Sequence, residues 1–300
     1  MNDTKRTREA SSLRIFFDDQ LEHLHNLVNN LSEHIQEEAQ QTEKDKQIVE
    51  SFVDTSNSKM RAVQGYAHKL REHVRELYNH VLQVADEIPP PIDLNPDAFG
   101  TDALVNALFA NSRDIDKLFK TDPDVKTFFH TYNRDEAPIL YALLTADRSE
   151  KPILGIKMQG DMLIREVPQQ AVNFSAHKIH KPCTTSTELN TVLKEYLFNR
   201  VVTLIKQEMA SHINQSFSAD NSYESKINSL ANPEVYMNTL IKYIENPANL
   251  LSMNKIHLKL SKLGIKLESD DSQNANEFDV HELTWRNNIR IVVLQITHTR

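Results

Sequence analysis

Cysteine occurs once in these 300 residues, as Cys183, which excludes an internal disulfide and any multi-cysteine zinc site. The chain carries no mark of an oxidising compartment. Glycine is almost as scarce: the five glycines stand at positions 65, 100, 155, 160 and 264, no two within four residues. Phosphate-binding loops and dinucleotide-binding turns need clustered glycines so that the backbone can approach the phosphates, and a serine nucleophile elbow needs one on each side of the serine. None of these can be placed. Long apolar runs are missing too, since Val201–Ile205 and Ile291–Leu294 fall far short of the ~20 residues that span a bilayer. The basic cluster Lys5, Arg6 and Arg8 is followed by Leu13–Leu21, which Arg14, Asp18, Asp19 and Gln20 interrupt. A signal peptide needs about 7–15 continuous apolar residues there. Basic charge is also short, 34 Lys and Arg against 42 Asp and Glu, a net charge of −8. That balance argues against a body that binds nucleic acid or anionic lipid. The expectation is a cytoplasmic protein without a membrane span, without a cofactor and without nucleic acid as partner.

What is present first is helical periodicity. Apolar residues fall at Phe17, Leu21, Leu24, Val28, Leu31 and Ile35, then at Met60, Val63, Ala67, Leu70, Val74, Leu77, Val81, Val84 and Ile88. Steps of three and four alternate in both runs, as in a coiled-coil seam. The polar run Asp54–Ser58 reads as the tip of a hairpin, so that Val49 faces Val63, Ile35 faces Leu77, and the polar Glu38, Thr42 and Asp45 face Val74, Leu70 and Ala67. The unmatched Ala67, Leu70 and Val74 are then the expected interaction surface, open to a protein partner or a second copy of the hairpin. Six histidines, at 23, 25, 34, 68, 73 and 80, lie off the seam and read as solvated.

Pro89-Pro90-Pro91 ends this arm, because three backbone donors are lost together. Beyond it, Asn95-Pro96, Asp122-Pro123, Asn232-Pro233 and Asn246-Pro247 each place a capping side chain before a proline suited to a first helical turn. Thr185 to Glu188 forms a capping box before the apolar face Leu189 to Met209. Strand-like segments occupy residues 139–145, 153–158, 162–167, 171–179, 255–267, 278–285 and 289–298, with turns at Gln159-Gly160 and Asn287-Asn288. The second turn, read as two residues, pairs Trp285 with Arg290 and Leu283 with Val292. The fold class is α+β: an N-terminal antiparallel helical hairpin, a helical segment, and a mainly antiparallel sheet packed against a long helix. Domain bounds follow as a basic tail over 1–10, the hairpin over 11–88 and the body over 96–300, of which 96–132 could form a separate lobe.

Three constellations bear on chemistry. His177, His180 and Cys183 have metal-like spacing, but ligands three apart on a strand do not converge and a fourth is missing. Asp135, Glu136, Asp147 and Glu166 could gather as carboxylates for metal-dependent hydrolysis. Lys178, Lys181, Lys194, Arg200 and Lys206 form a modest basic neighbourhood without the stacking aromatics of a nucleic-acid site. The leading expectation is a non-enzymatic interaction or scaffold protein; the alternative is a metal-dependent hydrolase or nuclease-like enzyme with its site in the C-terminal body.

Overall fold

The run Ile291-Val292-Val293-Leu294 has no polar position, so a strand built from it must be covered on both faces. The computed structural model describes residues 41–131, 139–159, 162–217, 232–267, 275–286 and 288–299, and places this run inside a six-stranded sheet. The strands are β1 (Ile92–Asp93), β2 (Leu140–Gln159), β3 (Met162–Cys183), β4 (Leu251–Leu260), β5 (Asn276–Trp285) and β6 (Arg290–His298). Their order is β3-β2-β6-β5-β4, antiparallel throughout, while β1 joins β6 in parallel. The described helices are α1 (41–56), α2 (Tyr66–Asp86), α3 (Ala98–Thr101), α4 (Ala103–Leu108), α5 (Ser112–Thr121), α6 (Pro123–Thr131), α7 (Ser186–Phe217) and α8 (Pro233–Ile244).

Alternation along the strands divides the core in two. Leu143, Leu251, Leu283, Trp285 and Val293 share one apolar cluster with residues of α1, α2, α7 and α8. Leu144, Leu258, Val280, Val292 and Leu294 share the other with residues of α4, α5 and α6. The protein is therefore α+β in three layers, with helices on both faces of a mainly antiparallel sheet. The long helix expected after Thr185 is α7, and the helices of residues 98–131 supply the second covering layer. Among the described residues, no helix is long and apolar enough to cross a membrane.

Two of the four proline-associated starts, at Asp122 and Asn232, form as the sequence indicates, whereas Pro96 lies in a turn before α3, whose cap residue is Asp97. Asp122 Oδ1 accepts from the amides of Asp124 and Val125, Asn232 Oδ1 from Glu234, and Asn95 Oδ1 from Ala98. Asn246 caps nothing with its side chain and precedes only a 3-10 turn, Pro247–Asn249. In the box before α7, Thr185 Oγ1 accepts from the amide of Glu188, whose carboxylate receives the amide of Thr184 rather than that of Thr185.

The helical tip differs from the expected one. The chain stays helical to residue 56, turns through a 3-10 segment, Ser58–Ala62, and restarts at Tyr66 after Gly65 in the left-handed region (φ 70°). Met60 and Val63 therefore belong to the turn and not to the second arm. With the tip moved towards residue 61, Asp45 lies 3.7 Å from Arg75 instead of facing Ala67. Glu50 ties the tip together, receiving Tyr66 Oη at 2.5 Å and Arg61 Nη2 at 2.7 Å. The first-arm seam from Phe17 to Ile35 lies outside the described residues, as do residues 1–10.

The C-terminal hairpin is displaced by one residue from the expected register. Glu282 pairs with Val292, Leu283 with Ile291 and Thr284 with Arg290. Trp285 N donates to Ile289 O and Asn288 N to Trp285 O, which makes the loop three residues long. Its last residue, Asn288, has φ 59°, the left-handed position that closes a three-residue hairpin loop. Trp285 does not pair with Arg290; it is buried among Val201, Ile205 and Leu250, and the guanidinium that lies over a ring is Arg286, 4.8 Å from Tyr243. Asn288→Gly should leave stability unchanged or raise it by a few tenths of a kcal/mol, whereas Asn288→Val should cost about 1–2 kcal/mol, read from urea unfolding midpoints.

Candidate functional site

Strand β3 carries the residues that looked most like a metal site, and its geometry separates them. Three breaks in its pairing with β2 coincide with residues in the left-handed region: Glu166 (φ 58°), Ala176 (φ 54°) and Lys181 (φ 44°). Each is a bulge, and each shifts the facing of the residues that follow by one position. Val172, Phe174 and Ile179 accordingly lie in the same core although their parity changes at Ala176. Cys183 then enters the opposite core after Lys181.

His177 stacks on Phe109 (centroids 4.5 Å apart) on one side of the sheet. His180 bonds Thr145 Oγ1 at 2.9 Å and tilts against Tyr196 on the other. Cys183 is buried, donates to Tyr141 O at 3.4 Å, and has its thiol pushed up by burial to about 11, so it stays protonated at neutral pH. The three do not converge. Among the described residues, no group of three His, Cys, Asp or Glu side chains is placed to hold a metal ion.

The carboxylates expected for hydrolysis do not meet either. Asp135 and Glu136 lie outside the described residues. Asp147 is opposite Ser175, nine residues along β3 from Glu166, a separation of roughly 30 Å at the rise of a strand. A cleft of about 820 Å³ between α4, β3 and the loop after β4 contains Asp102, Asp114 and His177. Its acids are already engaged: Asp102 caps α4 through the amides of Leu104 and Val105, and Asp114 receives Asn111 Nδ2 at 2.8 Å. Of the basic neighbourhood, Lys181 pairs with Glu195, Lys194 with Asp86, and Lys206 donates to Thr55 O.

The expected interaction surface on α2 is covered by the rest of the chain. Leu70 and Val74 have no exposed area and Ala67 is partly buried, all within the cluster that contains α7 and α8 residues. Lys69 reaches Glu234 of α8 and His80 Nε2 donates to Leu251 O of β4 at 2.7 Å, so α2 is held to the body by polar links as well.

The exposed apolar surface lies elsewhere. Strand β2 pairs with β6 only over Leu140–Ala146, yet β2 and β3 continue together to Gln159 and Met162. Their outer part is a two-stranded arm. At its root Arg148 places Nε 2.8 Å from Glu282 on β5 and also pairs with Glu150, while Lys266 lies 3.8 Å from Glu150. Val172 N donates to Gly264 O and Lys266 N to Gln170 O. Gly264 is required there: its φ is +74°, and a Cβ would sit 2.9 Å from Val172 O. Past Gln170 these supports end, and the arm projects about 25 Å at the rise of a strand.

Both faces of the arm are apolar. Leu154, Ile156 and Leu163 lie on one, with 72%, 59% and 54% of their surface exposed. Ile153, Ile164 and Met162 lie on the other, at 37%, 39% and 72%. Segments 153–158 and 162–167 were legible as strands, while Gly160 of the turn expected between them lies outside the described residues; what the sequence did not mark is that nothing among the described residues covers these strands. No protein-family model matches the chain, and no curated protein or solved structure is similar to it at a significant level.

Two outcomes follow from this geometry. Leu70→Ala should lower unfolding stability by about 2–5 kcal/mol without changing molecular mass in light scattering, because the side chain fills the core. His177, His180, His281 and His298 all have pKa values lowered from 6.5, in each case first by burial. Their neutral forms are favoured in the folded state, so stability is fully present above pH 6.5 and is lost as pH falls below it. Thermal midpoints measured from pH 7.5 to 5 should decline below about 6.5, and His180→Gln should flatten that decline.

Proposed function

We propose that this chain is a non-enzymatic, cytoplasmic interaction protein whose working element is the β2–β3 arm, carried on a three-layer α+β body. The observation that carries this reading is the exposure of apolar residues on both faces of the arm, Leu154 and Met162 each at 72%. Monomeric proteins rarely leave contiguous apolar patches beyond a few hundred Å² open to water, and larger ones mark sites of association. The arm is fixed at its root by the Arg148–Glu282 and Lys266–Glu150 pairs, so it presents this surface at a set position instead of collapsing onto the body. The engagement of Asp102 and Asp114 in helix capping and the separation of Asp147 from Glu166 favour this reading over hydrolysis.

A photo-crosslinking amino acid placed at Ile156, with a control at the exposed Val235 of α8, tests the proposal in the native cell. A discrete covalent adduct is expected from position 156 and not from 235. Identical adduct patterns at both positions would overturn it.

A further inference from the structure

We infer that the arm's partner is a second copy of the same arm, so that the protein assembles as a twofold dimer through its β2–β3 ribbons. This rests on the reading of the arm as an interaction element and names what it binds.

Charge is the first argument. Segment 153–169 contains Lys157 and Arg165 against Asp161 and Glu166, a net charge of zero. A twofold contact brings each patch against its own copy, and a patch of one sign would repel itself there. A neutral apolar patch is self-complementary. The remainder of the chain carries the whole net charge of −8, and bodies of that charge repel at close range. An arm of about 25 Å holds the bodies apart by several times the screening length of about 8 Å at physiological salt, so apolar contact between arms is compatible with like-charged bodies.

Area is the second argument. Ile153, Leu154, Ile156, Met162, Leu163 and Ile164 together leave on the order of 600 Å² of apolar surface exposed per copy. Two copies covering both faces remove roughly 1,200 Å² from water, which reaches the lower end of stable specific interfaces. Stacking through one face alone removes about half of that and falls in the range of incidental contacts. Reaching that area requires each arm to lie with one face on the partner's arm and the other on the partner's root. Among the described residues, β2 from Ile153 to Gln159 has no ladder partner except β3, and β3 from Met162 to Gln169 has none except β2. Apart from Ile156 O, which accepts from Gln169 Nε2 at 3.3 Å, the arms thus also offer edge backbone groups for antiparallel pairing.

Sedimentation velocity of the full chain from 1 to 100 µM tests this, with the Leu154→Lys, Leu163→Lys double variant alongside. Wild type should approach twice the chain mass of 34.6 kDa, while the variant should stay at one chain mass with an unchanged thermal midpoint, since both side chains are exposed. If the double variant fails to fold, Ile156→Lys and Met162→Lys taken singly should each weaken association at least tenfold, and Val235→Lys should not. Wild type that remains one chain at 100 µM, or an assembly that the arm substitutions leave intact, overturns the inference. The crosslink at Ile156 separates the two readings. An adduct with a different protein from a chain that is monomeric in solution leaves the interaction reading standing and removes self-association. Absence of both adduct and dimer removes both.

Discussion

Strand β6 has apolar side chains on both faces, and a strand of that kind cannot be stable with either face in water. Covering Val292, Leu294 and Ile296 draws in the helices between residues 98 and 131, and covering Ile291 and Val293 draws in α2, α7 and α8. Each fully buried Leu, Ile or Val contributes about 1.5–3 kcal/mol relative to exposure, so the requirement outweighs any single cap, turn or ion pair. Both edges of β6 are also used. β2 lies along one, and β5 with the short β1 divides the other. Leu94 N and His298 Nδ1 extend the β1 junction by donating to Thr297 O and Leu94 O.

The reach of β6 also decides where the protein becomes an interaction element. β6 starts at Arg290, and its pairing with β2 ends at Ala146 opposite Val292. Two residues further along β2, Arg148 extends to Glu282 on β5, both side chains more than nine-tenths buried. A buried ion pair is weak evidence of net stabilisation, since desolvation offsets most of the attraction, yet removing one partner leaves a charge stranded at a cost of about 3–5 kcal/mol. Its clearer consequence is geometric: it fixes the direction in which β2 and β3 leave the sheet. Gly264 and Lys266 add the last supports, and beyond them no described residue forms a covering layer over the ribbon.

Much of the architecture was legible in local sequence. Asp122-Pro123, Asn232-Pro233 and Thr185 with Glu188 marked real helix starts because capping needs only residues a few positions apart. The strand segments were found, but as fragments: bulges at Glu166 and Ala176 reset the alternation, and the bulged residues are not the glycines that usually signal such positions. In the C-terminal hairpin a single loop residue separated the expected pairing of Leu283 with Val292 from the observed pairing with Ile291. Turn length fixes register, and Asn287-Asn288 is compatible with either a two-residue or a three-residue loop.

The seam on α2 shows the limit most clearly. Its spacing correctly marked Leu70, Val74, Leu77, Val81 and Val84 as residues to be buried, but periodicity names a face and not what covers it. By itself the sequence determined the α+β class, the helix starts at Asp122, Thr185 and Asn232, the interruption at Pro89–Pro91 and the lack of glycine clusters for nucleotide-binding loops, because each depends on residues close together in the chain. Only the tertiary structure decided that Leu70 and Val74 are core, that His177 and His180 lie on opposite sides of the sheet, and that Leu154, Ile156 and Leu163 remain exposed. Those outcomes depend on contacts between segments far apart in sequence, and on where the pairing partner β6 runs out.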